Sequence, residues 1–209
     1  MTYPNYKEMI KEENNNLNVH EHLKSLSIPE IQEFAKQDRL PYSIAFFNIT
    51  GNLNLGVMIR TAHCLGASNI IVFGRTKYDR RSTVGSDVYS NLLTYSGLDT
   101  ENFSYPEADF QKIMDENNLS PVFIEQNGIN IGDFSWKDKI KDINYFNKQP
   151  CLILGNESYG IPENLISLYE NKEGSFTVSI PQLGVIRSLN VSSAASIVLW
   201  DMIHSMEWL

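Results

Sequence analysis

The chain has 209 residues, 42% of them hydrophobic and 20% charged, with a net charge of −8. That is ordinary globular composition, and a chain of this length buries roughly 70% of its unfolded surface, so one domain with a short appendage needs no disulfide or metal to hold it. No stretch approaches the roughly 20 consecutive apolar residues of a membrane span, no apolar leader follows Met1, and the acidity argues on its face against a nucleic-acid partner.

The charge is unevenly spread. Residues 98–150 carry 5 basic and 10 acidic side chains, residues 151–209 carry 2 and 6, and residues 1–40 carry 5 and 7; only residues 41–97, with 5 and 2, are basic. Within that segment Arg75, Lys77, Arg80 and Arg81 fall close together. The two cysteines, Cys64 and Cys151, sit far apart and outside any C-x-x-C spacing, and are expected to be reduced core residues of a cytoplasmic protein.

Taken in order, residues 1–41 are polar and helix-prone. Ser27-Ile28-Pro29-Glu30 ahead of Ile31, Phe34 and Ala35 has the form of a capped helix, closed by Pro41. Tyr42 to Asn48 is a nearly all-apolar strand; Thr50-Gly51-Asn52 turns the chain; Leu53 to Leu65 is a helix with Leu55, Met58, Ile59, Ala62 and Leu65 on one side. Asn69 to Gly74 is a second buried-type strand. Two such strands joined by a helix predict a parallel βαβ unit with a right-handed crossover.

The basic stretch follows, then a short helical piece over Gly85 to Asn91, a weaker strand over Leu92 to Tyr95 and a helix over Pro106 to Asn117. Pro121 to Glu125 is a third good strand. Residues 126–149 are polar and mixed, with Phe134 and Trp136 as anchors. Pro150 to Gly155 is a fourth strand, Glu163 to Tyr169 a short helix behind Pro162, and Phe176 to Ile180 a last strand. The final helix runs from about Leu189 to Met206, with Val191, Ala194, Ala195, Val198, Leu199, Met202 and Ile203 facing the core. The expected fold is α/β, a mostly parallel sheet of five or six strands with helices on both faces.

In such a sheet ligands bind beyond the carboxyl ends of strands. Three strand ends carry polar residues in apolar surroundings. Asn54 and Arg60 stand on the helix after the first strand; an arginine there needs an anion, either an internal carboxylate or a substrate's phosphate or carboxylate. Leu154-Gly155-Asn156-Glu157-Ser158-Tyr159-Gly160-Ile161-Pro162 is a glycine-bracketed loop, and Ile161-Pro162 in place of Lys-Ser/Thr rules out a P-loop. Ser188 and Asn190 follow a strand broken by Pro181 and Gly184; capping the last helix would explain one of them, which leaves the other to be explained. The four histidines form no metal spacing, and neither a G-x-S-x-G nor a G-x-G-x-x-G is present.

Together and in this order, the three segments resemble the SpoU class of the SPOUT superfamily, the S-adenosylmethionine-dependent RNA ribose 2′-O-methyltransferases. The first motif matches as Asn54, Gly56, Arg60 and Ala62, the second as Leu154, Gly155, Glu157 and Gly160, and the third as Ile180-Pro181, Gly184 and Ser188 through Ala195. The resemblance covers roughly residues 42–206, which makes residues 42–209 a methyltransferase domain behind the helical extension 1–41. It implies a deep trefoil knot over about 150–192, a homodimer whose interface includes the last helix, and a tRNA or rRNA substrate without a metal or a membrane. S-Adenosylmethionine would be held near Leu154, Gly155, Ile180, Leu189 and Asn190. Arg60 would be catalytic, with Asn54 and Glu157 orienting it and its loop, and Ser188 and Asn190 positioning the ribose. Arg75, Lys77, Arg80 and Arg81 would grip RNA phosphates. Gln182 stands where the family often has methionine, and Arg187 adds a charge beside Ser188. A non-catalytic RNA-binding or assembly protein that keeps the knotted fold is the alternative, as is a methyltransferase for a small or protein substrate.

Overall fold

Six parallel strands form one sheet in a computed structural model that describes residues 17–37, 39–48, 52–186 and 188–208. In chain order the elements are α1 (Ile28–Gln37), β1 (Leu40–Asn48), α2 (Asn52–Cys64), β2 (Ala67–Gly74), α3 (Arg80–Thr83), α4 (Ser86–Tyr89), β3 (Leu92–Tyr95), α5 (Glu107–Glu116), β4 (Leu119–Asn130), α6 (Trp136–Tyr145), β5 (Gln149–Leu154), α7 (Glu163–Tyr169), β6 (Phe176–Ser179) and α8 (Val191–Ser205). The strand order is β3-β2-β1-β5-β4-β6. The turn expected at Thr50-Gly51 and the charge at Arg187 lie outside the described residues.

The continuous apolar runs read from the sequence are the central strands, buried on both faces. Alternate residues feed two cores. Tyr42, Ile44 and Phe46 of β1, with Leu152 and Leu154 of β5, pack under α2, α6 and α8. Ala45, Phe47, Cys151 and Ile153 pack on the other face under α5 and α7. The result is a three-layer α/β/α sandwich whose strand ends all point one way.

α1 begins as expected, with Ser27 Oγ and the Ser27 N–H both donating to the Glu30 carboxylate at 2.6 and 2.8 Å. Ile31 is buried, and Gln32 Nε2 donates to the Val88 carbonyl at 2.8 Å, which anchors the described part of the extension beside α4. Two features differ from expectation. Residues 126–149 contain a helix, α6, whose Trp136, Ile140 and Ile143 are buried at helical spacing and whose Trp136 Nε1 donates to Asp201 Oδ2 of α8 at 2.6 Å. Cys64 is exposed at the end of α2, while Cys151 is a core residue.

Candidate active site

The carboxyl ends of β1, β4, β5 and β6 converge, and three segments far apart in sequence meet there. After β5 the chain folds back on itself: Asn156 N donates to Gly160 O at 2.6 Å and Gly160 N to Asn156 O at 2.8 Å. Both glycines of the motif are needed for this. Gly160 has φ +72°, in the left-handed region, and a Cβ on Gly155 would run into the Gly160 backbone. The loop so formed holds Glu157 between them.

Glu157 Oε1 accepts from Asn54 Nδ2 at 2.7 Å and from Asn190 Nδ2 at 2.8 Å, and Asn190 Nδ2 also reaches Asn54 Oδ1 at 3.1 Å. The other end of the Asn190 amide caps α8: its Oδ1 accepts from Ser192 N at 3.0 Å and Ser193 N at 3.4 Å. Asn190 is therefore both a cap and a member of the cluster, and the two duties fix which way its amide faces. Gly56, two residues beyond Asn54, is required where α2 crosses the Asp79–Ser82 turn, because a Cβ there would collide with Ser82 Oγ.

Beside the cluster opens a cavity of about 260 Å³. Leu154, Gly155, Ile180 and Leu189, four of the residues expected at a cofactor, line it together with Glu157 and Ser188. Asn190 stands at its edge rather than in its wall. A smaller cavity adjoins, lined by Asn48, Asn54 and Met58, and shares Gly155 through Ser158 with the first.

Arg60 is not with them. It is exposed on α2, lines neither cavity, and makes no hydrogen bond or ion pair among the described residues. Six residues along a helix advance the chain by about 9 Å and turn it by about 240°, so Asn54 and Arg60 leave α2 on different sides. Among the described residues no internal carboxylate answers it, which favours the other role its sequence position allowed, that of meeting a substrate's anion.

The basic stretch lies beyond β2 at the same edge of the sheet. Arg75 and Lys77 are exposed and without side-chain partners among the described residues. Arg80 and Arg81 are paired locally: Arg80 Nη2 lies 3.0 Å from Asp87 Oδ2 and Arg81 Nη2 2.6 Å from Asp79 Oδ2, and the Asp87 side chain is only 4% exposed. Tyr78 donates to the same Asp87 oxygen at 3.0 Å, its hydroxyl pushed up to about 12 by burial and then by the Asp87 charge. Two of the four cations are thus partly neutralised by their own turn.

Sequence reasoning passed over Glu125. This residue follows the apolar run Pro121–Ile124 within β4, which was the signal available, and it lines the larger cavity.

The sequence model of the SpoU rRNA Methylase family matches residues 41–200. The chain belongs to that family. Among named relatives, a tRNA (cytidine(34)-2'-O)-methyltransferase of Listeria monocytogenes, itself named as putative, is 28% identical over 140 residues, which is 61% of this chain and 79% of that protein. The mouse tRNA (guanosine(18)-2'-O)-methyltransferase TARBP1 is 43% identical over 56 residues, covering 27% of this chain and 3% of that much longer protein. Among SpoU structures, AviRb from Streptomyces viridochromogenes in complex with the cofactor AdoMet superposes with a TM-score of 0.60 at 25% identity, covering 82% of this chain and 62% of that one. The A. aeolicus TrmH/SpoU tRNA modifying enzyme superposes with a TM-score of 0.64 over 87% of this chain and 83% of that one; at 16% identity that likeness speaks for the fold alone.

Proposed function

We propose that the chain is an S-adenosylmethionine-dependent RNA methyltransferase acting on a ribose 2′-hydroxyl of tRNA or rRNA, in the cytoplasm. The observation that carries this is the joining of Asn54, Glu157 and Asn190, one from each motif, at the mouth of a strand-end cavity. A protein that only bound RNA would have no use for that cluster.

The cavity suits the cofactor. Its wall mixes the apolar residues Leu154, Ile180 and Leu189 and the backbone of Gly155 with polar residues that include Glu125 and Glu157, and the cofactor joins a sulfonium and an ammonium to an apolar base. Bound there, S-adenosylmethionine would supply a methyl group on an electron-poor sulfur. The chain supplies alignment, since an in-line displacement depends on holding the hydroxyl opposite the methyl. Asn54, Glu157 and Asn190 fix the cofactor loop to α2 and α8, and Ser188 offers a hydroxyl to the ribose. Arg60 holds the neighbouring phosphate and polarises the 2′-hydroxyl. A guanidinium is charged at neutral pH, so the hydroxyl proton leaves to phosphate or solvent and not to Arg60.

A homodimer belongs to this reading. The face of α8 expected at the interface, with Ala195, Val198, Leu199 and Met202, is buried within one copy, but Ile197 and Trp200 on the other side of the helix are exposed, as are Leu53, Leu183, Val185 and Ile186. A partner seated on this apolar surface would bring its own Arg60 to the cavity that lacks one. A knot over about 150–192 also fits, since β4 and the loops after β5 and β6 line one cavity. Arg75 and Lys77, with help from Arg80 and Arg81, are the RNA phosphate contacts.

The test is transfer of labelled methyl from S-adenosylmethionine into total tRNA and rRNA, with 2′-O-methyl mapping in a strain lacking the gene. Loss of a defined site supports the reading. No transfer and no calorimetric binding of cofactor would overturn it in favour of a non-catalytic RNA-binding protein.

A further inference from the structure

The geometry points to Glu125 as the residue that recognises the ribose hydroxyls of the cofactor's own nucleoside, an inference that rests on the cofactor reading above. β4 departs from regular pairing with β6 just beyond Ile124: both Ile124 and Ile129 face Val178, so residues 125–128 are extra length on the β4 side. The irregularity begins at Glu125, a residue of the larger cavity's wall.

One oxygen of that carboxylate is already used. Ile161 N donates to Glu125 Oε1 at 3.0 Å, and a Cβ on Gly160 would stand 2.9 Å from the same oxygen, so the loop after β5 is shaped around it. The other oxygen has no partner among the described residues. A half-buried carboxylate anchored by one oxygen, with the second unpaired among the described residues and the residue itself in the cavity wall, is a fixed acceptor whose lost hydration a ligand donor would restore.

The donors on S-adenosylmethionine are the adenine amine, the two ribose hydroxyls and the ammonium. The methyl must face the cluster of Asn54, Glu157 and Asn190, and the ammonium lies on that methionine side. Glu157 lines both cavities, whereas Glu125 lines only the larger one, away from Asn54. Glu125 therefore meets the nucleoside. Of the nucleoside donors, hydroxyls make the short, strong O–H···O⁻ bonds that a carboxylate favours, and a vicinal pair gives two chances to make one. The negative charge also turns away nucleotides phosphorylated on that ribose. Because the hydroxyls are unchanged by methyl transfer, Glu125 contributes equally before and at the transition state.

The test is calorimetry on the full chain with S-adenosylhomocysteine and its 2′-deoxy and 3′-deoxy analogues, using wild type, Glu125→Gln and Glu125→Ala. Glutamine can still accept from Ile161 N while replacing the free acceptor with a donor, so it separates recognition from folding; melting curves confirm that each variant is folded. We expect Glu125→Gln to weaken S-adenosylhomocysteine binding on the order of 10- to 100-fold, and to cost far less against at least one deoxy analogue. In methyl transfer KM for the cofactor rises and kcat is kept. Unchanged affinity in Glu125→Gln, or equal losses for the parent and both deoxy ligands, overturns the assignment while leaving the cofactor reading intact. Failure of the wild type to bind S-adenosylhomocysteine overturns both.

Discussion

Asn54 Oδ1 accepts from Asn190 Nδ2 at 3.1 Å, a bond between residues 136 positions apart, while both amides also donate to the one Glu157 oxygen. Asn190 is thereby placed under two demands, since its Oδ1 also caps α8. Asn190→Ala removes both; loss of the cap alone costs about 1 kcal/mol. Asn190→Asp keeps the cap but sets a second carboxylate against Glu157. Urea unfolding should therefore show Asn190→Ala as less stable than wild type, and calorimetry should show both variants impaired in S-adenosylhomocysteine binding. A variant with wild-type affinity would mean that the cluster does not shape the cavity.

Arg60 gives the opposite pattern. It is exposed and has no partner among the described residues, so Arg60→Ala should change stability by no more than about 0.5 kcal/mol. Cofactor binding should be unaltered and methyl transfer should fall by at least about 100-fold, the scale of removing one oriented charge from a transition state. Arg60→Lys should restore little, because a single ammonium cannot make the paired contacts of a guanidinium with phosphate. Mixing Arg60→Ala with Asn190→Ala subunits offers a sharper check. If each copy completes its partner's site, mixed dimers regain activity that neither variant has alone.

The basic stretch should divide into two classes. Arg75 and Lys77 are unpaired among the described residues, so replacing both with alanine should flatten the salt dependence of RNA binding by about two units of slope with little effect on folding. Replacing Arg80 and Arg81 should flatten it less, since Asp87 and Asp79 already hold them. Arg80→Ala should also lower the unfolding midpoint, because it strips a cation from the nearly buried Asp87 carboxylate. Equal slopes in the two double variants would show that the ion pairs do not matter to RNA.

His63, in the last turn of α2, governs part of the response to pH. Burial first, and the Arg39 guanidinium second, pull it down to about 4, and Ser90 Oγ lies 3.2 Å from its Nδ1. In the unfolded chain it titrates near its ordinary 6.5. Between those values the unfolded state binds the extra proton, so stability rises with pH across about 4 to 6.5 and is lost as the pH falls through that window. His63→Gln should narrow the difference between urea midpoints at pH 5 and pH 7; a difference as large as in wild type would assign it to other groups.

Much of the fold was legible because its central strands are buried on both faces and read as continuous apolar runs, and because Glu163–Tyr169 and Leu92–Tyr95 are bounded by clear breaks. α6 was not legible. Only Trp136, Ile140 and Ile143 of its ten residues face the core, and the charged residues between them dilute the period. α3 has four residues and is held by Asp79 accepting from Arg81 N, a local capping contact that leaves no apolar pattern at all. The site followed the same division. Asn54, Glu157 and Asn190 could be placed near one another because each stands at a strand end, and the six-residue spacing already sets Arg60 on a different side of α2 from Asn54; that Arg60 lines neither cavity is legible only in the structure. Glu125 was hidden by looking like the polar end of a strand, and only the loop wrapped around its Oε1 distinguishes it.

The strand order has a consequence for how the protein comes to exist. β1 pairs with β2, its near neighbour, and with β5, which is synthesised about a hundred residues later. A growing chain can form the β1–α2–β2 unit early, but Asn54 then waits with its amide unanswered until β5, β6 and the start of α8 have been made. Parallel pairing over such distances is slow to form. In refolding, S-adenosylhomocysteine binding should return after the sheet signal does, and the newly made chain should spend its first moments as a folded half without the cavity.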